Sequence, residues 1–217
     1  MEKTFFVSFE GIDGSGKDTQ LNRFIDLIKE NNDIFGDKYS NIWITREPTK
    51  ITDSGIKMSE LLKGGEVSKE ITTKLYIQDR CEHTILIKDI LKHSHVLVSR
   101  YDISTLSYQM TQGMDFDDLY ELHNYGKNDG CIIPDITIVF NLDVDLAFER
   151  MSTRDETVEF FENKKFQTKL KENLDYVVDK LREKDGRCII VVDSSKTIDE
   201  VTKEMYEKIK NSMKLFS

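Results

Sequence analysis

The sequence predicts an α/β fold: a three-layer sandwich whose five-stranded parallel sheet carries helices on both faces, completed by a helical lid. Three observations predict it. Five short apolar runs recur along the chain without the alternation of a half-exposed strand, which is how strands buried on both faces read. Between them lie segments with a helical repeat of apolar residues. Only 2 prolines and 11 glycines interrupt 217 residues, a composition of compact, helix-rich domains rather than of linker-rich chains. The length suits one domain over 1–217, with room for a mobile lid, and is enough to bury a sizeable core.

The elements follow in order. Residues 4–9 (TFFVSF) read as the first strand, followed by glycines and a helix over about 17–29. Residues 41–45 (NIWIT) are the second strand. A helix over 54–63 is ended by Gly64 and Gly65. Residues 68 to about 92 read as one long helix, with Ser68 as N-cap and Ile71, Leu75, Ile85, Leu86 and Ile90 as its apolar stripe. The third strand is 95–99 (HVLVS), and helical segments follow over 103–112 and 116–123. The turn-rich stretch 124–130 (NYGKNDG) reads as a surface loop. Residues 135–142 (DITIVFNL) are the fourth strand. A helix, a charged stretch and a second long helix fill 144–183. Residues 187–192 (RCIIVV) are the fifth strand, and a closing helix covers 197–213. In such a sheet ligands bind outside the carboxyl ends of the strands, so the informative residues are those just after each strand.

Composition narrows the function. A net charge of −9 argues against a general nucleic-acid or anionic-membrane binder, though it leaves room for arginines clustered around a small anion. No apolar run reaches the roughly 18 residues of a membrane helix. The first ten residues have neither a long hydrophobic region nor a cleavage site, so no signal peptide is expected. Cys81, Cys131 and Cys188 are odd in number and far apart in sequence. That excludes a disulfide framework and a CxxC metal site, and suits a reducing cytoplasm.

After the first strand come Gly11, Ile12, Asp13, Gly14, Ser15, Gly16 and Lys17, then Asp18 and Thr19. This nearly matches the P-loop pattern G-x-x-x-x-G-K-[ST]. Glycines let backbone N–H groups converge on phosphate oxygens, the next helix adds positive potential, and Lys17 reaches the transferred phosphate. A strand before, a helix after and the Lys spacing set this apart from an ordinary glycine turn. The fold is thus of the P-loop NTPase type, and ATP is the expected ligand of 11–19. One position departs: Asp18 stands where a Ser or Thr hydroxyl normally meets magnesium. Aspartate is itself a hard-oxygen magnesium ligand, but its charge beside a triphosphate must be offset. Glu10, at the end of the first strand, is a second possible anchor. The blander reading of Asp18 is an acidic residue favoured by the helix dipole.

The string Phe9-Glu10-Gly11-Ile12-Asp13-Gly14-Ser15-Gly16-Lys17 resembles the signature of thymidylate kinases. Further blocks agree in order. Thr45-Arg46-Glu47-Pro48 resembles that family's TREP loop, and Tyr76 to Arg80 its aromatic-x-x-x-Arg element. Arg100 to Gln109 resembles its DR[YFH] motif, and Leu142-Asp143-Val144 with Arg150 and Arg154 its arginine-bearing lid. The resemblance spans roughly 4–193. It implies transfer of the γ-phosphoryl of ATP·Mg²⁺ to dTMP, giving dTDP and ADP. Lys17, Arg100, Arg150 and Arg154 would be the catalytic cations, since phosphoryl transfer is mainly positioning and charge neutralisation. Tyr76 would stack on the thymine with Arg80 at its edge, the two sharing a helix face at i, i+4. Thr105, with Gln109 as a second candidate, would read the pyrimidine edge, and Ser104 belongs to the same motif. Tyr108 would exclude ribose, Asp13 would accept a hydrogen bond from the 3′-hydroxyl, and Arg46 with Arg100 would hold the monophosphate. The family takes its transition-state arginine from the P-loop or the lid; Gly14 leaves the lid. The resemblance also implies a homodimer.

Two further departures stand out. Ser99 precedes Arg100 where the family usually has Asp, so a carboxylate is missing at 99 and an extra one appears at 18. We read this as relocation of the magnesium-holding carboxylate to Asp18. Leu174 stands where the family tends to place a phosphate-facing Tyr. Residues outside the motifs read as structural: His83, His93, His95 and His123 show no metal spacing, Trp43 is expected in the core, and Phe160, Phe161 and Phe166 are expected to pack down the charged helix. Two alternatives remain at this level: a broader deoxynucleoside monophosphate or deoxynucleoside kinase, and a degenerate nucleotide-binding module without catalysis.

Overall fold

FVSFE and HVLVS are buried at every position. Strands with no wet face belong in the middle of a parallel sheet covered on both sides, and that is where they lie. The computed structural model describes residues 4–30, 34–35, 41–63, 67–127, 130–152 and 164–214. Strands β1 (Phe6–Glu10), β2 (Ile42–Arg46), β3 (His95–Ser99), β4 (Ile136–Asn141) and β5 (Ile189–Asp193) form one sheet in the order β2-β3-β1-β4-β5, every pairing parallel. Around it lie α1 (Lys17–Glu30), α2 (Asp53–Lys63), α3 (Lys69–Ile90), α4 (Asp102–Thr111), α5 (Phe116–Leu122), α6 (Val144–Ser152), α7 (Lys164–Asp185) and α8 (Ile198–Met213). The fold class is the predicted one.

Three apolar clusters hold the layers together. Phe9, Phe24, Ile28, Phe140, Met205 and Ile209 join the sheet to α1 and α8. Ile103, Leu106, Leu119, Leu170, Leu174 and Val177 pack α4, α5 and α7 against the opposite face. Phe6, Ile87, Val98 and Tyr101 fix α3 to the sheet. Leu174 thus serves the core.

Element boundaries moved for physical reasons. β1, β2 and β5 each run one residue past their apolar stretch, to Glu10, Arg46 and Asp193. Backbone pairing, indifferent to side-chain polarity, continues there: Glu10 opposite Val139, Arg46 opposite Ser99, Asp193 opposite Asn141. Ser68 caps α3 by accepting from Ile71 N, and Thr197 with Glu200 forms a capping box on α8. Trp43 lies on the edge strand, only partly buried, edge-on to His83. The loop after α5 is less of a surface feature than its composition suggests: the Tyr125 hydroxyl donates to Asp102 at 2.6 Å and Arg187 lies over its ring. Gly64, Gly65, Phe160 and Phe161 lie outside the described residues.

The connections after β1 and β4 leave in opposite directions, toward β2 and β5. That arrangement opens a crevice at the carboxyl ends of the central strands. No helix among the described residues is long and apolar enough to cross a membrane.

Candidate active site

The glycine loop leaves β1 at this crevice and leads into α1, which starts at Lys17. Its glycines are required by contacts as well as by conformation. Gly11 sits at φ 149°, and a Cβ there would stand 2.7 Å from Ser15 Oγ and 2.9 Å from Phe140 O. Gly14 sits at φ 78°, and a Cβ would lie 2.6 Å from Ala147 O at the start of α6. No side chain fits at 14, so the loop itself cannot carry an arginine there. The Ser15 N–H bonds Ile12 O at 3.2 Å, and Ser194 Oγ, after β5, donates to Ser15 O at 2.6 Å. Lys17 is buried, 3.7 Å from Asp13. Burial first, then the Arg100 charge, lower its pKa to about 8, against the pull of Asp13, Asp18 and Glu10.

Asp13 is the hub between the loop and α4. Arg100 is bound to one carboxylate oxygen, and Tyr108 OH donates to the other at 2.8 Å. Gln167 of α7 also hydrogen-bonds it. Burial opposes ionisation of Asp13, but Arg100, Lys17, Tyr108 and Gln167 outweigh it and hold the carboxyl below its usual range. Arg100 itself has left-handed backbone, φ 61°, rare for a side-chain-bearing residue and concentrated at functional sites. That turn lets its guanidinium fold back over the Tyr108 ring, 5.5 Å away. Beneath it Glu10 is fully buried and accepts from Tyr101 N at 2.8 Å and from Ser104 Oγ at 2.5 Å. Burial raises its pKa to about 7. Glu10 therefore braces the turn from β3 into α4.

Beside Asp13 opens a cavity of about 530 Å³, within the usual range of ligand sites, lined by Glu47, Pro48, Leu62, Tyr76, Arg80, Arg100, Ser104, Thr105, Tyr108, Gln109 and Gln112 among others. Tyr76, Arg80, Thr105, Tyr108 and Gln109, predicted from separate motifs, share its walls. Arg80 is only 1% exposed. Its Nε donates to Glu47 at 2.7 Å, Nη2 to Thr105 at 2.8 Å and Nη1 to His123 Nε2 at 2.8 Å, and it lies 4.8 Å over the Tyr101 ring. His83 binds the other oxygen of Glu47 at 2.8 Å. Thr73 Oγ1 donates to Gln109 Oε1 at 2.6 Å. The Glu47–Pro48 bond is cis, and the chain after it is tied to α3 by Asp79, which accepts from Thr49 N at 2.7 Å, Thr49 Oγ1 at 2.6 Å and Thr52 Oγ1.

Sequence reasoning missed Gln167, the partner role of Glu47, and His83 and His123 as members of the Arg80 network. Glu47 stands inside a quoted motif, which was a signal; nothing local marks the other three.

Asp18 and Ser99 are in direct contact: Ser99 Oγ donates to Asp18 Oδ1 at 2.5 Å. Burial raises the Asp18 pKa, but Ser99, Lys17, Arg46 and Arg100 outweigh it and hold it low, so it is a carboxylate at the exposed end of the crevice. Arg46 and Thr19 are exposed, and Arg46 is not among the cavity's lining residues. Arg150 donates to Ser194 O at 2.9 Å, on the β5 side of the loop. Arg154 lies outside the described residues. Among those described, no three His, Cys, Asp or Glu side chains gather as a metal cage. A single carboxylate beside a hydroxyl suits an ion that keeps waters and substrate phosphates as its other ligands, which is how Mg²⁺ binds.

A P-loop beside a cavity with an aromatic, an arginine and polar edge groups describes a nucleotide kinase with two substrate sites. The thymidylate kinase family model matches residues 9–205. The chain belongs to the thymidylate kinase family. It is accordingly a phosphotransferase of the nucleoside monophosphate kinase type, and neither alternative reading is favoured. A probable thymidylate kinase of Methanococcus maripaludis strain S2 is 36% identical over 210 residues, covering 94% of both chains. A probable thymidylate kinase of Methanocaldococcus jannaschii is 33% identical over 214 residues, covering 97% of this chain and 98% of that one. The solved structure of thymidylate kinase from Candida albicans shares the fold, with a TM-score of 0.71 at 24% identity, covering 96% of this chain and 92% of that one.

Proposed function

We propose that the protein transfers the γ-phosphoryl group of ATP·Mg²⁺ to dTMP, yielding dTDP and ADP. The observation that carries this is the Asp13–Arg100–Tyr108 cluster, which joins the phosphate-binding loop to a pocket sized for one nucleotide. The donor triphosphate lies along residues 11–19, with Lys17 on the transferred phosphate. The acceptor base occupies the cavity against Tyr76. Thr105 and Gln109 face its edge, and Arg80, held by Glu47 and His123, closes the far wall. The Tyr108 ring takes the space beside the sugar, and Asp13 accepts from the 3′-hydroxyl. Arg100 exchanges its bond with Asp13 for the acceptor phosphate, and Arg46 approaches from the exposed end of β2.

Asp18, with Ser99 beside it, is the proposed holder of magnesium, whose charge when bound neutralises the phosphates in flight. Glu10, occupied with Tyr101 and Ser104, braces the floor. The lid is proposed at about 146–163, with Arg150 and Arg154 as the arginines that its closure brings to the phosphates. We further propose a homodimer and a cytoplasmic location.

The test is a coupled ADP-release assay with ATP and a panel of deoxy- and ribonucleoside monophosphates. Stimulation by dTMP, with ribonucleotides poor, is expected. Absence of any response to dTMP overturns the reading.

A further inference from the structure

Fifty residues apart in sequence, Cys81 and Cys131 meet in the fold with their sulfurs 3.6 Å apart. Neither is disulfide-bonded, and Cys188 lies elsewhere, against the α1–α8 core. The pair borders the acceptor pocket through two links. Cys81 directly follows Arg80 on α3. Cys131 N donates to His123 O at 2.9 Å, and His123 Nε2 accepts from Arg80 at 2.8 Å. Each cysteine thus lies one step from the guanidinium that closes the pocket wall, Cys81 along the chain and Cys131 through the backbone of His123.

We propose that Cys81 and Cys131 form a reversible intramolecular disulfide that weakens acceptor binding. The oxidant is a small-molecule disulfide. Cys81, the less buried of the two, is the sulfur such a molecule reaches. Its thiolate attacks one sulfur and expels the other as a thiolate, leaving a mixed disulfide. Cys131 sulfur then attacks Cys81 sulfur, and its proton passes to the second departing thiolate. Two protein thiols are oxidised by two electrons, and one disulfide is reduced to two thiols. Bonding brings the sulfurs from 3.6 Å to about 2.05 Å. That closure, of about 1.5 Å, pulls the segment bearing His123 toward α3 one residue from Arg80. Misplacement on this scale costs up to about 10²-fold in turnover of a positioned substrate.

The kinetic half of the proposal rests on the dTMP reading above; the thiol half does not. Full-length Cys188→Ser protein is equilibrated with mixtures of reduced and oxidised dithiothreitol, trapped by alkylation and weighed by mass spectrometry. Two alkylated thiols under reducing conditions and none under oxidising conditions, without intermolecular cross-linking, are expected. Adding Cys81→Ser leaves the remaining thiol alkylated throughout. Two thiols persisting under oxidation, or a bond between chains, overturns the proposal. The oxidised form is expected to lose about tenfold to 10²-fold in kcat/KM for dTMP, with KM for ATP unchanged. By reciprocity, saturating dTMP raises the midpoint potential, by about 30 mV for each tenfold of coupling. A disulfide that forms with neither effect overturns the link to the pocket. If dTMP fails to stimulate the reduced enzyme, the substrate reading falls while the thiol count still decides the disulfide.

Discussion

His123 is a neutral acceptor in a place where a charged imidazole would be ruinous. Burial first, then the Arg80 charge, lower its pKa to about 3, while its Nδ1 faces Leu119 O at 2.7 Å and its Nε2 faces Arg80. In the unfolded chain it titrates near 6.5. The unfolded state therefore binds the extra proton between these values, and stability falls as pH falls from about 6.5 toward 3. The slope approaches about 1.4 kcal/mol per pH unit. Urea unfolding at several pH values should show the native protein losing stability faster below pH 6.5 than His123→Gln, which keeps an acceptor for Arg80 but cannot titrate. Parallel curves would refute this. At the other end of the crevice, the Ser99–Asp18 contact makes the carboxylate relocation testable. Asp18→Ser is expected to weaken Mn²⁺ binding to the ATP complex, measured by electron paramagnetic resonance. Adding Ser99→Asp is expected to restore it, because the two positions touch. Intact metal dependence in Asp18→Ala sinks the idea.

Elements impose demands that single residues do not reveal. The start of α6 packs so closely on the glycine loop that Gly14 has no room for a methyl group. Gly14→Ala places an alanine in left-handed backbone, costing roughly 1–2 kcal/mol, and drives it into Ala147 O. Either the loop or α6 must move. We expect a lower melting temperature together with a fall in kcat; an alanine variant with native melting temperature and turnover would contradict this. The strands and helices were legible because buried strands and amphipathic helices leave periodic signatures, as α8 does with Val201, Met205 and Ile209 buried behind its Thr197 cap. The apolar stripe read on α3 faces away from the core, since of Ile71, Leu75, Ile85, Leu86 and Ile90 only Leu75 is buried. Strand ends were not, because Arg46 and Glu10 join the ladder through backbone pairing with partners distant in sequence. Trp43 reads as core by its composition, yet edge position leaves it partly wet.

For the whole molecule, the exposed apolar residues of α3 and of the loop before α2 are informative. Ile85 is 67% exposed, Leu86 41%, Ile71 50% and Ile51 61%. Contiguous apolar surface marks association sites, and we place the proposed homodimer contact on the adjacent pair Ile85 and Leu86. Analytical ultracentrifugation is expected to find a species of twice 25.3 kDa, and Ile85→Lys to shift it to the monomer. A wild-type monomer at micromolar concentration would rule the dimer out. The net charge of −9 reads differently at this scale too. It averages over a surface in which Lys17, Arg46 and Arg100 gather around Asp13 and Asp18 at one crevice.

The sequence by itself determined the fold class, the phosphate loop and the family, because each depends on local spacing: a buried strand, a glycine run, a lysine at the first turn of a helix. Its motifs also carry Asp13, Tyr76, Arg80, Arg100, Ser104, Thr105, Tyr108 and Gln109, which line one cavity, but they include Arg46, which does not line it, and leave out Leu62 and Gln112, which do. Only the tertiary structure decided how those residues are held. That Arg80 is clasped by Glu47 and His123, that Gln167 reaches Asp13, that Asp18 meets Ser99 and that Cys81 touches Cys131 all depend on segments brought together by the crossovers of a parallel sheet. Contacts between positions 33 to 154 residues apart leave no periodicity for a sequence to display, and the side chains that make them are chosen by the neighbours the fold supplies.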